Sequence, residues 1–72
     1  MGYKFYADGD DNGLIRIDDA TGAGEQYQPT LDRWKSNPGA AGKARLSGEY
    51  EPVSEKQARI VGEKMRDRFA PA

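Results

Sequence analysis

With 72 residues, the chain has room for one domain and one small core, close to the size at which burial barely outweighs chain entropy. It contains neither Cys nor His, which excludes disulfides, thiolate nucleophiles, imidazole bases and the usual zinc sites. A net charge of −1 argues against a dedicated nucleic-acid binder, which needs a basic surface. No apolar run is long enough to span a bilayer and the N-terminus lacks a signal-peptide core, so a cytoplasmic location and no membrane contact are expected.

The first predicted element is a β-hairpin. Tyr3 and Phe5 alternate with Lys4 and Tyr6, and Ile15 and Ile17 repeat the same two-residue spacing. An Asp-Asn-Gly cluster, which favours tight turns, separates the two runs.

A third strand is predicted after a second turn cluster at residues 19–24. This run is centred on Tyr27 and ends before Pro29. Because short connections favour the pairing of consecutive strands, residues 1–35 are predicted to form an antiparallel β-meander. Residues 31–35 fit either a fourth strand or an irregular segment.

The segment DGDDNGLIRIDD, residues 8–19, fits both a hairpin turn and a calcium loop. Its carboxylate, amide and glycine spacing resembles an EF-hand loop. However, Asp19 stands where that family has a bidentate Glu, Arg16 adds a cation, and the flanking sequence does not favour helices. The acidic hairpin, with no metal, is therefore the prediction. The alternative is weak calcium binding by Asp8, Asp10, Asn12, Leu14 and Asp19.

Residues 36–53 are predicted to form a loop or a short helical turn. Asn37 followed by Pro38 is a helix-start signal, and Gly48 would end such a turn. The alanines and glycines between them bury little surface, so a loop is equally expected.

Residues 54–69 are predicted to form an amphipathic helix. Ser54 is a good N-cap, and Gln57 completes a capping box. The apolar positions recur at helical spacing: Ala58, Val61, Met65 and Phe69. Gly62 costs a helix roughly 1 kcal/mol relative to Ala, which suggests close packing against the sheet.

The predicted fold is therefore α+β, a single domain of residues 1–72 in which a meander of three or four strands packs against one C-terminal helix. The predicted contacts of Val61, Met65 and Phe69 are with Phe5, Trp34, and Ile15 or its neighbours on the alternate face. The other face of the sheet is expected to be open.

Catalysis is not expected from this sequence. Its carboxylate pairs are adjacent in sequence, on a turn and a strand, whereas acid and base groups must converge on one cleft. Gly39, Gly42 and Lys43 do not form a phosphate-binding loop, because the required spacing and the Ser or Thr are absent. No enzyme activity and no cofactor are predicted.

The function predicted by elimination is a small protein-interaction module, such as an accessory subunit or inhibitor of a larger protein. Aromatic residues and Arg are the usual anchors of interfaces. We expect Tyr6, Arg16 and Tyr27, on the open face of the sheet, to bind the partner, which is another protein. The alternative is nucleic-acid contact through Trp34, its basic neighbours Arg33 and Lys35, and the later cations Lys43 and Arg45.

The layout of the chain also resembles short uncharacterised proteins of actinobacteria and their phages. The features concerned are a hairpin containing IRIDDATG, a lone Trp34, and GEYEPVSEKQA at the start of the last helix. The resemblance implies no activity and no site residues.

Overall fold

The described residues form a five-stranded antiparallel sheet with one helix on each face. The computed structural model describes residues 2–10, 13–46 and 48–69. Its elements are β1 (Tyr3–Asp8), β2 (Leu14–Asp18), β3 (Gly24–Gln28), β4 (Arg33–Ser36), α1 (Ala40–Leu46), β5 (Tyr50–Val53) and α2 (Glu55–Phe69). The strands lie in the order β4-β3-β2-β1-β5. The predicted α+β class is confirmed, with a meander of four strands and a fifth strand that was not predicted.

The fifth strand returns along the open edge of β1. Phe5 lies opposite Val53, and Tyr6 lies opposite Pro52. A proline is acceptable there because an edge strand does not need every N–H for pairing. In residues 36–53 the predicted helical turn is present as α1, whereas β5 was not predicted.

The first core cluster lies between α2 and the sheet. Its buried members are Ala7, Leu14, Tyr27, Ala58, Val61 and Met65, with Phe5, Trp34 and Val53 packed at its margin. Val61 and Met65 are therefore buried as predicted, near Phe5 and Trp34. Leu14, the neighbour of Ile15, faces this cluster because successive side chains of a strand point to opposite faces. Phe69 was expected in the core but is 42 % exposed at the end of α2.

The second core cluster fills the opposite face. Ile15, Ile17, Ala40 and Ala44 are buried there, and Tyr6, Ala41 and Tyr50 pack around them. The predicted open face is thus covered in part by α1. Small residues make this possible, because a side chain on Gly24 would lie only 3.0 Å from the backbone nitrogen of Ala41.

Both helices begin with a side-chain cap. Ser54 Oγ accepts a hydrogen bond from the Gln57 N–H at 3.0 Å, which confirms the predicted start of α2. Asn37 Oδ1 accepts from the Gly39 N–H at 3.1 Å, just before α1. Each cap satisfies a backbone donor that would otherwise lack a partner inside its helix.

The close approach of α1 to β3 can be tested with two glycine substitutions. Gly24→Ala should lower the free energy of unfolding by about 1–3 kcal/mol, because the backbone of α1 must move away. Gly42→Ala is the matched control, since Gly42 lies within α1 and no atom lies within 4 Å of the added methyl group. It should raise stability by about 0.5–1 kcal/mol. Urea unfolding measures both values, and equal stability of Gly24→Ala and wild type would contradict the packing of α1 on β3.

Candidate functional site

A groove of about 330 Å³ lies beside α2 on the face of the sheet that this helix covers. Helix α2 packs against β1 and β2, whereas β3 and β4 extend the sheet to one side of it. The floor of the groove consists of Phe5, Leu14, Arg16, Tyr27 and Trp34. Its helical wall includes Ala58, Arg59, Gly62, Glu63 and Arg66.

Arg16 is held at the floor of this groove by aromatic rings and by a carboxylate. Its guanidinium carbon lies 4.1 Å from the centre of the Tyr3 ring and 4.5 Å from that of the Trp34 ring. Its Nε donates to Glu25 Oε1 at 2.6 Å. Partly shielded cation–π contacts contribute on the order of 0.5–2 kcal/mol each. The side chain of Arg16 is therefore fixed in place while remaining 23 % exposed.

Trp34 connects the edge strand β4 to the aromatic residues of the inner strands. Its ring centre lies 5.3 Å from that of Tyr27 and 6.1 Å from that of Phe5, both in tilted arrangements. Such geometry is favourable for aromatic pairs. Trp34 is half-buried, so part of its ring remains at the floor of the groove.

A hydrogen bond ties the β3–β4 turn to β3, and an ion pair connects the same turn to α2. The Tyr27 hydroxyl donates to Asp32 Oδ1 at 2.6 Å, and Arg66 Nη1 lies 3.3 Å from Asp32 Oδ2. Asp32 has a φ of 49°, in the left-handed region that Asp tolerates better than most residues. Burial raises the pKa of Tyr27 to about 12, and the hydrogen bond to Asp32 and the charge of Asp32 act in the same direction.

The charged residues of the groove are balanced in number. The cations are Arg16, Arg59 and Arg66, and the anions are Asp32, Glu55 and Glu63. The Arg59–Glu55 pair, at 3.9 Å, is highly exposed and therefore contributes little to stability. The groove therefore combines an aromatic floor with charges of both signs.

The titratable groups that line this site are carboxylates, guanidinium groups and the Tyr27 hydroxyl. The chain has no thiol and no imidazole. Within residues 2–10, 13–46 and 48–69, no group of three or more carboxylates is placed to hold a metal ion. In the same ranges, each buried side-chain nitrogen or oxygen has a hydrogen-bond partner.

The three predicted partner-binding residues do not share one face of the sheet. Tyr6 lies on the α1 face, whereas Arg16 and Tyr27 line the groove on the α2 face. Tyr27 is only 7 % exposed and belongs to the core. The expectation of a common open face was wrong because Tyr6 pairs with Ile15, one residue out of phase with Arg16. Their role in binding a partner stays a prediction.

The residues of the alternative calcium loop are separated along the β1–β2 hairpin. The Asp8 N–H donates to the Gly13 carbonyl near the turn, while the Asp19 N–H donates to the Gly2 carbonyl at the opposite end. Six residues of extended strand separate these ends by roughly 20 Å. Asp8 and Asp19 therefore cannot surround one ion as an EF-hand loop requires. Asn12, another proposed ligand, lies outside the described residues.

Two other predicted ligands have structural positions in the hairpin. The Asp10 N–H donates to Asp8 Oδ1 at 3.1 Å, so the Asp8 carboxylate caps the turn. Leu14 is the first residue of β2, pairs with Ala7 and is 2 % exposed. The calcium-loop alternative therefore rested on residues that form a turn. The strand β2, which begins at Leu14, carries Asp19 away from Asp8.

The sequence did not predict the groove itself. Trp34 was expected in the core, and it does reach the core, but it also forms part of the groove floor. Asp32 was not predicted to have a role. The alternation that brings Phe5, Arg16 and Trp34 to one face is readable in the sequence, whereas the sideways position of α2 over the sheet is not.

Comparison with protein families, characterised proteins and solved structures finds no match to this chain. Neither helix in the described part of the chain has the length and apolar composition needed to cross a bilayer.

The environment of Tyr27 predicts that its hydroxyl ionises at a higher pH than that of an ordinary tyrosine. Because its pKa is raised from the ordinary 10 to about 12, the stability that comes from protonated Tyr27 is complete below pH 10 and is lost as the pH rises towards 12. Asp32→Asn should lower this pKa but leave it above 10, since burial is its largest cause. Absorbance of tyrosinate at 295 nm measures the titration, and Tyr27→Phe identifies the step. Ionisation of Tyr27 near pH 10 in the folded protein would contradict its burial, and an unchanged pKa in Asp32→Asn would contradict the Tyr27–Asp32 hydrogen bond.

The separation of Asp8 from Asp19 predicts that calcium does not stabilise the fold. Millimolar calcium should leave the melting temperature unchanged, because a ligand raises it only when it binds the folded state. Magnesium at the same concentration controls for ionic strength. A rise of several degrees that is specific to calcium and abolished by Asp8→Ala would show that these residues do form a site.

Proposed function

We propose that this chain is a non-catalytic protein-interaction module, such as an accessory subunit or inhibitor of a larger cytoplasmic protein, and that it binds its partner through the groove beside α2. The proposal depends on one observation, the half-buried Trp34 stacked on the fixed Arg16 at the groove floor. Tryptophan, tyrosine and arginine contribute most of the binding energy in many interfaces. Here all three line one concave surface.

The rigidity of these residues supports the proposal. Arg16 contacts two rings and Glu25, while the hydroxyl of Tyr27 is bound to Asp32. Side chains that are already ordered lose little conformational entropy when a partner binds. A groove of this kind can bind a polypeptide without first rearranging.

Nucleic-acid contact is the weaker alternative. It requires Trp34 to stack on a base while Arg33 and Lys35 contact phosphates. In β4, however, successive side chains point to opposite faces, and Trp34 lies on the α2 face. Arg33 and Lys35 therefore point to the α1 face, and the aromatic and the two cations do not form one surface.

The groove is tested by substitutions at Gly62. A methyl group there would lie 3.7 Å from Leu14 and 3.8 Å from Tyr27, which is ordinary contact, so Gly62→Ala should fold and gain up to about 1 kcal/mol. Gly62→Leu has the same helix advantage, but its longer side chain must fill part of the groove. Partner protein captured from the native host with the tagged full chain should bind Gly62→Ala normally and Gly62→Leu at least about tenfold more weakly.

A second pair of variants tests the charge at the rim. Arg59 and Lys56 are both exposed on α2, but only Arg59 lines the groove. Arg59→Glu should weaken binding of the captured partner, and Lys56→Glu should not. Equal binding by Gly62→Leu, Arg59→Glu and wild type would exclude the groove. Capture of nucleic acid alone, with binding that falls steeply with salt, would exclude the protein-interaction function.

A further inference from the structure

We propose that the partner adds an extended segment to β4 as a sixth strand, and that this segment carries an apolar residue between two acidic residues. The inference deepens the proposed interaction function and rests on it. Exposed sheet edges are recognised in this way by peptides, with backbone hydrogen bonds giving affinity and alternate side chains giving specificity.

Two residues of β4 point their backbone N–H and C=O groups away from β3, where an added strand could pair with them. The Asn37 N–H donates to the Gly24 carbonyl at 3.0 Å, so these two residues form a hydrogen-bonded pair. Hydrogen-bonded and non-hydrogen-bonded pairs alternate in an antiparallel ladder, and Lys35 lies opposite Gln26 in the same register. Lys35 therefore points its N–H and C=O towards β3. Trp34 and Ser36 point theirs away from the sheet.

The other edge of the sheet is less suited to strand addition. Strand β5 contains Pro52, which lies opposite Tyr6 and has no N–H to donate. Strand β4 contains no proline among its four residues. The two edges thus differ in a way that directs an incoming strand to β4.

The side chains of β4 define the charge of the incoming strand. Arg33 and Lys35 are both exposed and project to the α1 face. Neither forms an ion pair with any residue in the described part of the chain. Opposite charges on directly facing residues stabilise a strand pair, whereas like charges destabilise it. The residues facing Arg33 and Lys35 are therefore acidic.

Trp34 defines the residue between these two acids. It lies on the α2 face, at the floor of the groove. The residue that faces it in an added strand projects to the same face and meets the Trp34 ring at the mouth of the groove. An apolar or β-branched residue is favoured opposite an aromatic one. The resulting pattern is acidic, apolar, acidic.

Two copies of this chain do not pair through β4 alone. Pairing of two β4 strands would place the cations of each copy against those of the other, which is unfavourable. At the start of β5, Glu49 and Glu51 lie on either side of Tyr50, so β5 of a second copy is the competing occupant, and protection of the β4 amides without peptide would reveal it. Charged edges are also a common protection against aggregation. Protection against aggregation is one reason for cations on β4, but it does not give the outward N–H and C=O groups of β4 a hydrogen-bond partner.

The probe is the peptide acetyl-Thr-Thr-Glu-Val-Glu-Thr-Thr-amide added to the isotopically labelled full chain. We expect the amide hydrogens of Trp34 and Ser36 to become protected from exchange, with little change at Lys35, whose amide is already bonded to β3. Trp34 is the only tryptophan, so its fluorescence reports the same binding. Binding without new protection at Trp34 and Ser36 would overturn strand addition, and so would protection of these amides by self-association without peptide.

Two matched changes separate strand addition from simple charge attraction. Methylation of the central Val nitrogen removes the hydrogen bond to Trp34 in antiparallel pairing and should weaken binding about tenfold. The Glu nitrogens point away from β4 in this pairing, so methylation of one of them should have little effect. Arg33→Glu combined with Lys35→Glu should reject this peptide and accept one in which Lys replaces both Glu residues. Equal binding of the two methylated peptides would overturn the inference.

The natural partner distinguishes failure of this inference from failure of the proposed function. Loss of partner binding in Gly62→Leu, together with unchanged binding in the Arg33→Glu, Lys35→Glu variant, would leave the interaction function intact and overturn strand addition to β4. Loss of binding in both is the result that we expect.

Discussion

The alternation of side chains along β2 is the constraint on which the rest of the structure depends. Leu14 and Arg16 face α2, while Ile15 and Ile17 face α1. Because β2 lies at the centre of the sheet, this one strand contributes to both core clusters. A chain of this length gains little from burying one face alone. The short, alanine-rich α1 therefore matters, since it removes Ile15 and Ile17 from water.

The groove follows from the same constraint and from simple dimensions. Five strands at about 4.8 Å spacing make a sheet about 19 Å wide, whereas one helix with its side chains is about 10 Å across. Helix α2 thus covers about half of its face, and it lies over β1 and β2. Arg16 stands at the margin of the covered area, where a cation can be stacked on Tyr3 and Trp34 while part of it still contacts water.

Local signals in the sequence were sufficient for the meander and for α2. The turn clusters located the first three strands, and the Ser54 cap located the start of the last helix. For α1 they indicated a helical turn but did not decide between it and a loop, and for β5 they gave no signal, because the stability of both elements comes from distant contacts. Helix α1 needs the space above Gly24, and β5 needs the free edge of β1. The groove was not predictable for the same reason, since the position of α2 across the sheet is set by packing between distant residues. Residues 8–19 show the opposite case, in which a local sequence pattern indicated a site that the fold does not form. They match the spacing of a calcium loop, but the extended strand β2 prevents these residues from surrounding one ion.

The contacts of Asp32 connect the sheet, the β3–β4 turn and α2. Its carboxylate accepts the Tyr27 hydroxyl from the floor and pairs with Arg66 from the helical wall. The hydrogen bond to Tyr27 is partly buried, whereas the Arg66–Asp32 pair is exposed on both sides and contributes little to stability. The turn that contains Asp32 leads directly into β4, so the hydrogen bond from Tyr27 ties the start of the edge strand to β3. A partner that paired with β4 and contacted Trp34 would therefore meet a strand already paired with β3 and a ring already packed against Tyr27 and Phe5, and the entropy cost of its binding would fall mainly on the incoming segment.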